Sequence, residues 1–153
     1  MYEKEFIINK NTRLTKIEKC KSHIMSLYEL LKKRKNNSNI SHVKLPSLNE
    51  HIRFVNSRPY RTWFLIEKNE VLEGSVYINN VNVISIHLLR NNITLYEEIL
   101  LFLIKNFKPL PAIPSKRNAN FTVNLSPKNK LYAKLIVGKG AKKIQETYTL
   151  EKL

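Results

Sequence analysis

A chain of 153 residues fits one domain with a sizeable core. An apolar fraction of 42% with only three glycines excludes a flexible linker, and the lone Cys20 excludes both an internal disulfide framework and a cysteine-based zinc site. The net charge of +15 attracts phosphates of any origin. Cations nevertheless run through the whole chain. The densest block, Lys32-Lys33-Arg34-Lys35, closes a helix, where cations are favoured anyway, so most of the charge reads as composition. Residues 1–10 carry Glu3, Lys4, Glu5 and Lys10 without an apolar core, and the densest apolar run, 99–104, is far below the ~20 residues of a membrane span. A cytoplasmic chain without a membrane partner is expected.

Residues 5–8 read as a weak first strand. Thr15 and Glu18 have the spacing of a capping box, and Ile17, Cys20, Ile24, Leu27 and Leu31 then form a helical stripe, which places Cys20 in the core as a small hydrophobe. A polar loop follows over 35–41. Ser47 and Glu50 make a second box after Pro46 and open a short helix to about Val55. Strands are expected over 62–67, 71–78 and 83–88, joined by Lys68-Asn69-Glu70 and by Asn79-Asn80 as an antiparallel meander. Thr94 and Glu97 suggest a third box, starting a nearly all-apolar helix that ends at Phe107. Pro109, Pro111 and Pro114 make a stiff connector. Phe121, Val123 and Leu125 alternate as a strand; Asn129 leads a short helix closed by Gly138 and Gly140, and 144–150 returns as strand.

The closing unit, residues 118–150, resembles the C-terminal half of the Gcn5-related N-acetyltransferases. Asn129, Leu135, Gly140, Ile144, Gln145, Thr147, Tyr148 and Leu150 fall on that pattern, and Tyr132, Ile136 and Ala141 depart from it. The order of elements extends the likeness. Ile40-Ser41-His42, Leu45-Pro46-Ser47, Glu50-His51, Phe54, residues 58–61, Trp63, Ile66 and 74–77 resemble a small-molecule branch found with amino-sugar genes. The resemblance implies one α/β (α+β) domain over 1–153. Its mixed, mostly antiparallel sheet would be flanked by helices and splayed between the fourth strand (83–88) and the fifth (121–125).

The same resemblance implies acetyl-CoA as co-substrate. Ile86, Leu88, Leu89, Arg90, Asn92, Thr94, Asn124 and Asn129 would hold it. His87 would be the base, with an ordinary pKa near 6.5 suited to that role. The family's tyrosine acid falls on Ile136, and Tyr132, one turn earlier, is the substitute. Arg34, His42, His51, Trp63 and Tyr77 would line the acceptor pocket; from the residues alone, Trp63 reads first as core packing and His51 as a surface residue. The family's glycine-rich pyrophosphate loop is replaced by Leu89-Arg90-Asn91-Asn92-Ile93-Thr94, without one glycine. With Thr94 as cap and Glu97 and Glu98 in the first turn, that helix start is expected to satisfy its own donors.

The histidines lack metal spacing, so no metal is expected. Three readings stay open. One is acetyl transfer to a small-molecule amine by direct attack, an amino sugar nucleotide being one candidate. A second is a catalytically impaired member that binds a ligand or partner. The third is a basic nucleic-acid-binding domain, which ranks last because no recognition motif supports it. A homodimer is compatible with all three.

Overall fold

The computed structural model describes residues 4–34 and 44–151. The expected loop over 35–41 falls entirely outside them, as does His42. The elements in order are β1 (Glu5–Asn9), β2 (Thr12–Lys16), α1 (Lys21–Lys33), α2 (Leu48–Asn56), β3 (Thr62–Lys68), β4 (Val71–Ile78), β5 (Val83–Leu88), α3 (Ile93–Asn106), β6 (Thr122–Val123) and α4 (Lys130–Gly138). They build a six-stranded sheet in the order β1-β2-β3-β4-β5-β6, antiparallel throughout except for the parallel pair β5–β6.

The first strand belongs to a hairpin. Asn9 Oδ1 accepts the backbone N–H groups of Asn11 (2.9 Å) and Thr12 (3.0 Å) and closes the turn. Thr12 and Leu14 then face inward, and β2 pairs with β3 from Thr12↔Lys68 to Lys16↔Phe64. The Thr15–Glu18 box therefore does not form, because pairing with a strand fifty residues away outweighs a local cap. The helix starts five residues later, with Cys20 as its N-cap and no side-chain bond from it. Cys20 is half-buried at that helix start, its Sγ 3.4 Å from Ser22 Oγ, and not on the buried face of Ile24, Leu27 and Leu30. The second box is present as expected. Ser47 Oγ accepts from Glu50 N–H (3.2 Å), and Glu50 Oε2 accepts from Ser47 N–H (2.7 Å). His51 is buried and not on the surface, its Nε2 3.0 Å from the Ile24 carbonyl, and this bond fastens α2 to α1.

Strand alternation sorts side chains onto two faces. Phe64, Ile66, Val76, Ile78, Ile84 and Ile86 meet Leu95, Tyr96, Ile99, Leu100 and Leu103 of α3 and Tyr132 of α4. The opposite face, with Trp63, Leu65 and Leu89, meets Ile24, Leu27 and Leu30 of α1 and Val55 of α2. Two helix layers thus sandwich the sheet.

Asn82 ties the C-terminal unit to this frame. It is fully buried, with φ +64°, at the β4–β5 turn. Its Nδ2 donates to the carbonyls of Leu110 (2.8 Å) and Asn118 (2.7 Å), and its Oδ1 accepts from Leu110 N–H (2.8 Å). Its own carbonyl accepts from Thr122 N–H at 2.9 Å, which begins β6. β6 pairs with β5 only at Val83↔Thr122 and Ile84↔Val123. Beyond Ile84, the edge of β5 turned away from β4 has no strand neighbour among the described residues. β5 and β6 are the fourth and fifth strands of the sequence reading, so the expected splay is there. The expected fifth strand over 121–125 is correspondingly reduced to two residues.

The last expected strand, 144–150, is not formed. Those residues are exposed and pair with nothing described. Their β-favouring composition is met by no sheet edge, and composition alone does not make a strand.

Candidate active site

On the α1–α2 side of the sheet, a small cleft lies at the end of β5, lined by Leu30, Arg34, Ser75, His87, Leu88 and Leu89. Strand register makes the cluster. Ser75 pairs with His87, Tyr77 with Ser85, and Trp63 with Tyr77, so side chains of one parity converge on one face. Tyr77 lies 5.9 Å from the His87 ring and stacks flat on Tyr60, with ring centroids 3.6 Å apart and planes 2° apart. Tyr60 meets Trp63 edge-on at 4.8 Å, and Phe54 of α2 closes the group at 5.9 Å from Tyr60. The Trp63 indole N–H is buried without an acceptor among the described residues. An unmet buried donor costs about 1–3 kcal/mol, so Trp63 is a wall of the site as well as core. Tyr60 was not foreseen. It precedes β3 in the Arg58-Pro59-Tyr60 turn, and only the fold shows that this turn bends its ring back onto Tyr77.

The approach of β5 to β4 depends on Gly74. A Cβ there would lie 2.1 Å from the His87 carbonyl oxygen and 3.1 Å from Leu88 Cα. His87 therefore owes its position to a missing methyl group across the strand pair.

Burial, and then the charge of Arg34, depress the His87 pKa to about 3. The imidazole is thus neutral throughout the physiological range, and the titration near 6.5 expected from the sequence is absent. Unfolded, the same ring takes its proton near 6.5. Between those values the unfolded chain binds more protons, so this stabilising contribution is full above about pH 6.5 and is lost as the pH falls towards 3. We expect the His87 ring resonances to stay unshifted from pH 8 to about pH 5 in an NMR titration. A midpoint near 6.5 would contradict the buried placement beside Arg34.

The other wall of the splay is the start of α3. Asn92, not Thr94, is its cap, with Oδ1 accepting from Leu95 N–H at 3.0 Å. Asn92 is extended (φ −145°), the conformation a cap requires, so the helix starts two residues ahead of the predicted box and Thr94 lies inside its first turn. Because the helix starts at Ile93, no acid falls in its first turn; Glu97 pairs with Lys139, and Glu98 accepts from Asn9 Nδ2 (3.2 Å). The Asn92 N–H donates to the Tyr132 hydroxyl at 3.0 Å. Self-satisfaction of this helix start is thus present, but by other groups than the sequence suggests. Ile93 and Thr94 keep backbone N–H groups with no acceptor among the described residues.

Tyr132 is buried and stacks on Tyr96, with centroids 4.0 Å apart and planes 12° apart. Burial raises the pKa of both phenols, and the Asn92 N–H partly offsets this for Tyr132. The Tyr96 hydroxyl has no partner among the described residues.

The remaining expected site residues divide clearly. Ile86 points into the α3 core, Leu88 packs partly there and Leu89 packs on the α1–α2 core, while both leucines also line the cleft. Arg90 pairs with Glu73 at 2.7 Å. Asn124 is exposed beyond the end of β6, and Asn129 caps α4 without a side-chain bond. Arg34, Trp63, Tyr77 and His87 come together; Tyr132 and Asn92 form the second group.

No family model matches the chain, and no curated protein does. Solved structures do. An acetyltransferase from Salmonella typhimurium, described as modifying the N-terminal serine of 50S ribosomal subunit protein L7/L12, aligns with a TM-score of 0.52 at 19% identity. The alignment covers 66% of this chain and 66% of the other. A ribosomal L7/L12 alpha-N-protein acetyltransferase in complex with coenzyme A aligns with a TM-score of 0.51 at 15% identity, over 65% and 67% of the two chains. This chain thus spans about two thirds of the length of each.

Proposed function

From the acetyltransferase fold that this chain has, we propose that it moves an acetyl group from acetyl-CoA to an amine by direct attack. The observation that carries this reading is the two-residue β5–β6 ladder, which opens the edge of β5 between the His87 cluster and the Tyr132 hydroxyl. The fit of coenzyme A is partial. The open β5 edge and the unmet N–H groups of Ile93 and Thr94 suit an acyl-pantetheine and a phosphate, whereas the N–H groups of Asn92 and Leu95 are already engaged. Bound there, acetyl-CoA would supply the activated acetyl carbon and a thiolate leaving group.

His87, being neutral, accepts a hydrogen bond from the incoming amine and orients its lone pair. It does not keep the proton, because a group with a pKa near 3 is too weak a base. Arg34 beside it disfavours an ammonium and so favours the neutral, attacking amine. As the C–N bond forms and the C–S bond breaks, the Tyr132 hydroxyl would give its proton to the departing sulfur, and the proton shed by the newly acylated nitrogen would return through solvent to Tyr132. Its oxygen accepts from Asn92 N–H, which stabilises the negative charge left on it.

A small acceptor amine would meet the polar groups of Arg34, Ser75 and His87 at the cleft. The solved neighbours are described as acting on a protein N-terminus, so an assay must offer both classes. Acetylation of amino sugar nucleotides, followed by mass spectrometry beside an N-terminal peptide panel, tests the choice. Product from peptides alone would overturn the small-acceptor reading. Tyr132→Phe should cost about 10²–10⁴ in turnover and a further ~1–3 kcal/mol of stability from the orphaned Asn92 N–H. An equally active variant would remove Tyr132 from the reaction.

The engaged donors also favour a second reading, a binding protein on the same fold that does not turn over. Ligand-dependent thermal shifts without product in either panel would select it.

A further inference from the structure

The cleft beside β5 carries charge of one sign. Three of its six lining residues are leucines, and the polar three are Arg34, Ser75 and His87. Among the described residues, no Asp or Glu lines it. Strand register accounts for that. Ser75 pairs with His87 and with Leu65, so the sheet turns hydroxyl, imidazole and apolar groups to this face. Glu73, two residues before Ser75, is drawn off by Arg90 at 2.7 Å. Arg34 arrives from the other side as the C-cap of α1, the helix packed on that face.

Arg34 is the one formal charge in this lining. His87, depressed to about 3, is neutral in the physiological range, and burial holds the neighbouring Tyr60 phenol protonated. Burial lowers the Arg34 pKa as well, the mark of a cation drawn out of water. Arg34 makes contacts within the chain, yet its guanidinium carries five donors in a planar fork. That fork fits a carboxylate or a phosphate with two bonds at once.

We propose that the acceptor amine carries an anionic group of its own, a carboxylate or a phosphate, held by Arg34 while the amine meets His87. The amine half of this rests on the acetyl-transfer reading; the anion half does not. A short aliphatic body between the two groups would lie against Leu30, Leu88 and Leu89. An acceptor with a second ammonium would set it against Arg34, and like charges repel strongly where little water screens them. The cleft thus sorts amines by the charge of their far end.

The test uses three amines of similar length, γ-aminobutyrate, aminobutanol and diaminobutane, whose far ends are an anion, a neutral hydroxyl and a cation. Binding to the full chain is read by calorimetry, with and without coenzyme A. A second reading comes from the fluorescence of Trp63, the chain's one tryptophan, which meets Tyr60 edge-on. γ-Aminobutyrate should bind at least about tenfold tighter than aminobutanol, with diaminobutane weakest. Product formed from acetyl-CoA should follow the same order. Arg34→Gln should abolish the preference, and Arg34→Lys, which keeps the charge and loses the fork, should retain part of it. Circular dichroism on both variants verifies that the fold is intact. O-Phosphoethanolamine beside γ-aminobutyrate tells which anion fits better. The same binding order without product from any amine upholds the anion site and removes acetyl transfer. Equal binding of the three, no binding of any, or a preference that survives Arg34→Gln overturns the proposal. Displacement of γ-aminobutyrate by coenzyme A overturns it too, because Arg34 would then serve the cofactor.

Discussion

Asn82→Ala should destabilise the chain by about 3–5 kcal/mol, the largest effect expected of any polar substitution here. The side chain makes three hydrogen bonds at zero exposure, two to Leu110 and one to Asn118. Alanine removes all three and leaves the Leu110 N–H and two carbonyls without their partner at a part-buried junction. Each orphaned group costs about 1–3 kcal/mol. The left-handed backbone adds about 1–2 kcal/mol for any residue with a Cβ and no side chain to bond locally. Asn82→Gly separates these contributions, because it relieves the backbone and still loses the bonds. At about 2–4 °C per kcal/mol for a chain of this size, Asn82→Ala should melt some 10 °C lower or more. A loss below 1 kcal/mol, read by thermal and urea denaturation, would mean that the connector over 107–120 is held by something else.

Gly74→Ala is expected to damage fold and site together. The new Cβ would overlap the His87 carbonyl oxygen and crowd Leu88 Cα, all backbone atoms that cannot swing aside. β5 must move by about 1 Å at the residue that faces the cleft, at a cost of about 1–3 kcal/mol or more. Displacements of that size near a reacting group cost about 10²-fold in rate. Hydrogen exchange offers a site-specific reading, because the Leu89 N–H donates to the Glu73 carbonyl at 2.9 Å beside Gly74. That amide should lose protection selectively in Gly74→Ala, while Ile99 and Leu103, buried in α3, keep theirs. Unchanged protection at Leu89 would show that β5 tolerates the methyl group.

Local chemistry made most of the fold legible. The meander from Thr62 to Leu88, the Ser47–Glu50 box and the buried α3 rest on alternation, capping and an apolar run, all written in neighbouring residues. Thr15 and Thr94 misled because each has an acid three positions on, and that spacing carries no information about tertiary partners. β2 is drawn away by β3, and Asn92 caps the helix two residues before Thr94. The site was legible as residue types and not as geometry. His87, Trp63, Tyr77 and Arg34 lie together on one face of the sheet, yet nothing in the sequence shows that Arg34 sits near enough to His87 to depress its pKa. Tyr60 and Asn82 lie in turns, and turn residues reveal their partners only when the chain closes on itself.

The central claim is that the splay between β5 and β6 receives acetyl-CoA at an α3 start whose donors are partly engaged by Asn92 and Tyr132. Calorimetric titration of acetyl-CoA into the wild type and into Asn92→Gly tests it directly. Glycine frees the Leu95 N–H and lets phosphate approach the backbone, at a capping cost of only a few tenths of a kcal/mol. We expect a high-micromolar dissociation constant for the wild type, tightened about tenfold in Asn92→Gly, the worth of one hydrogen bond to a charged group. No binding heat from either protein, or a sub-micromolar constant that Asn92→Gly leaves unchanged, would contradict it.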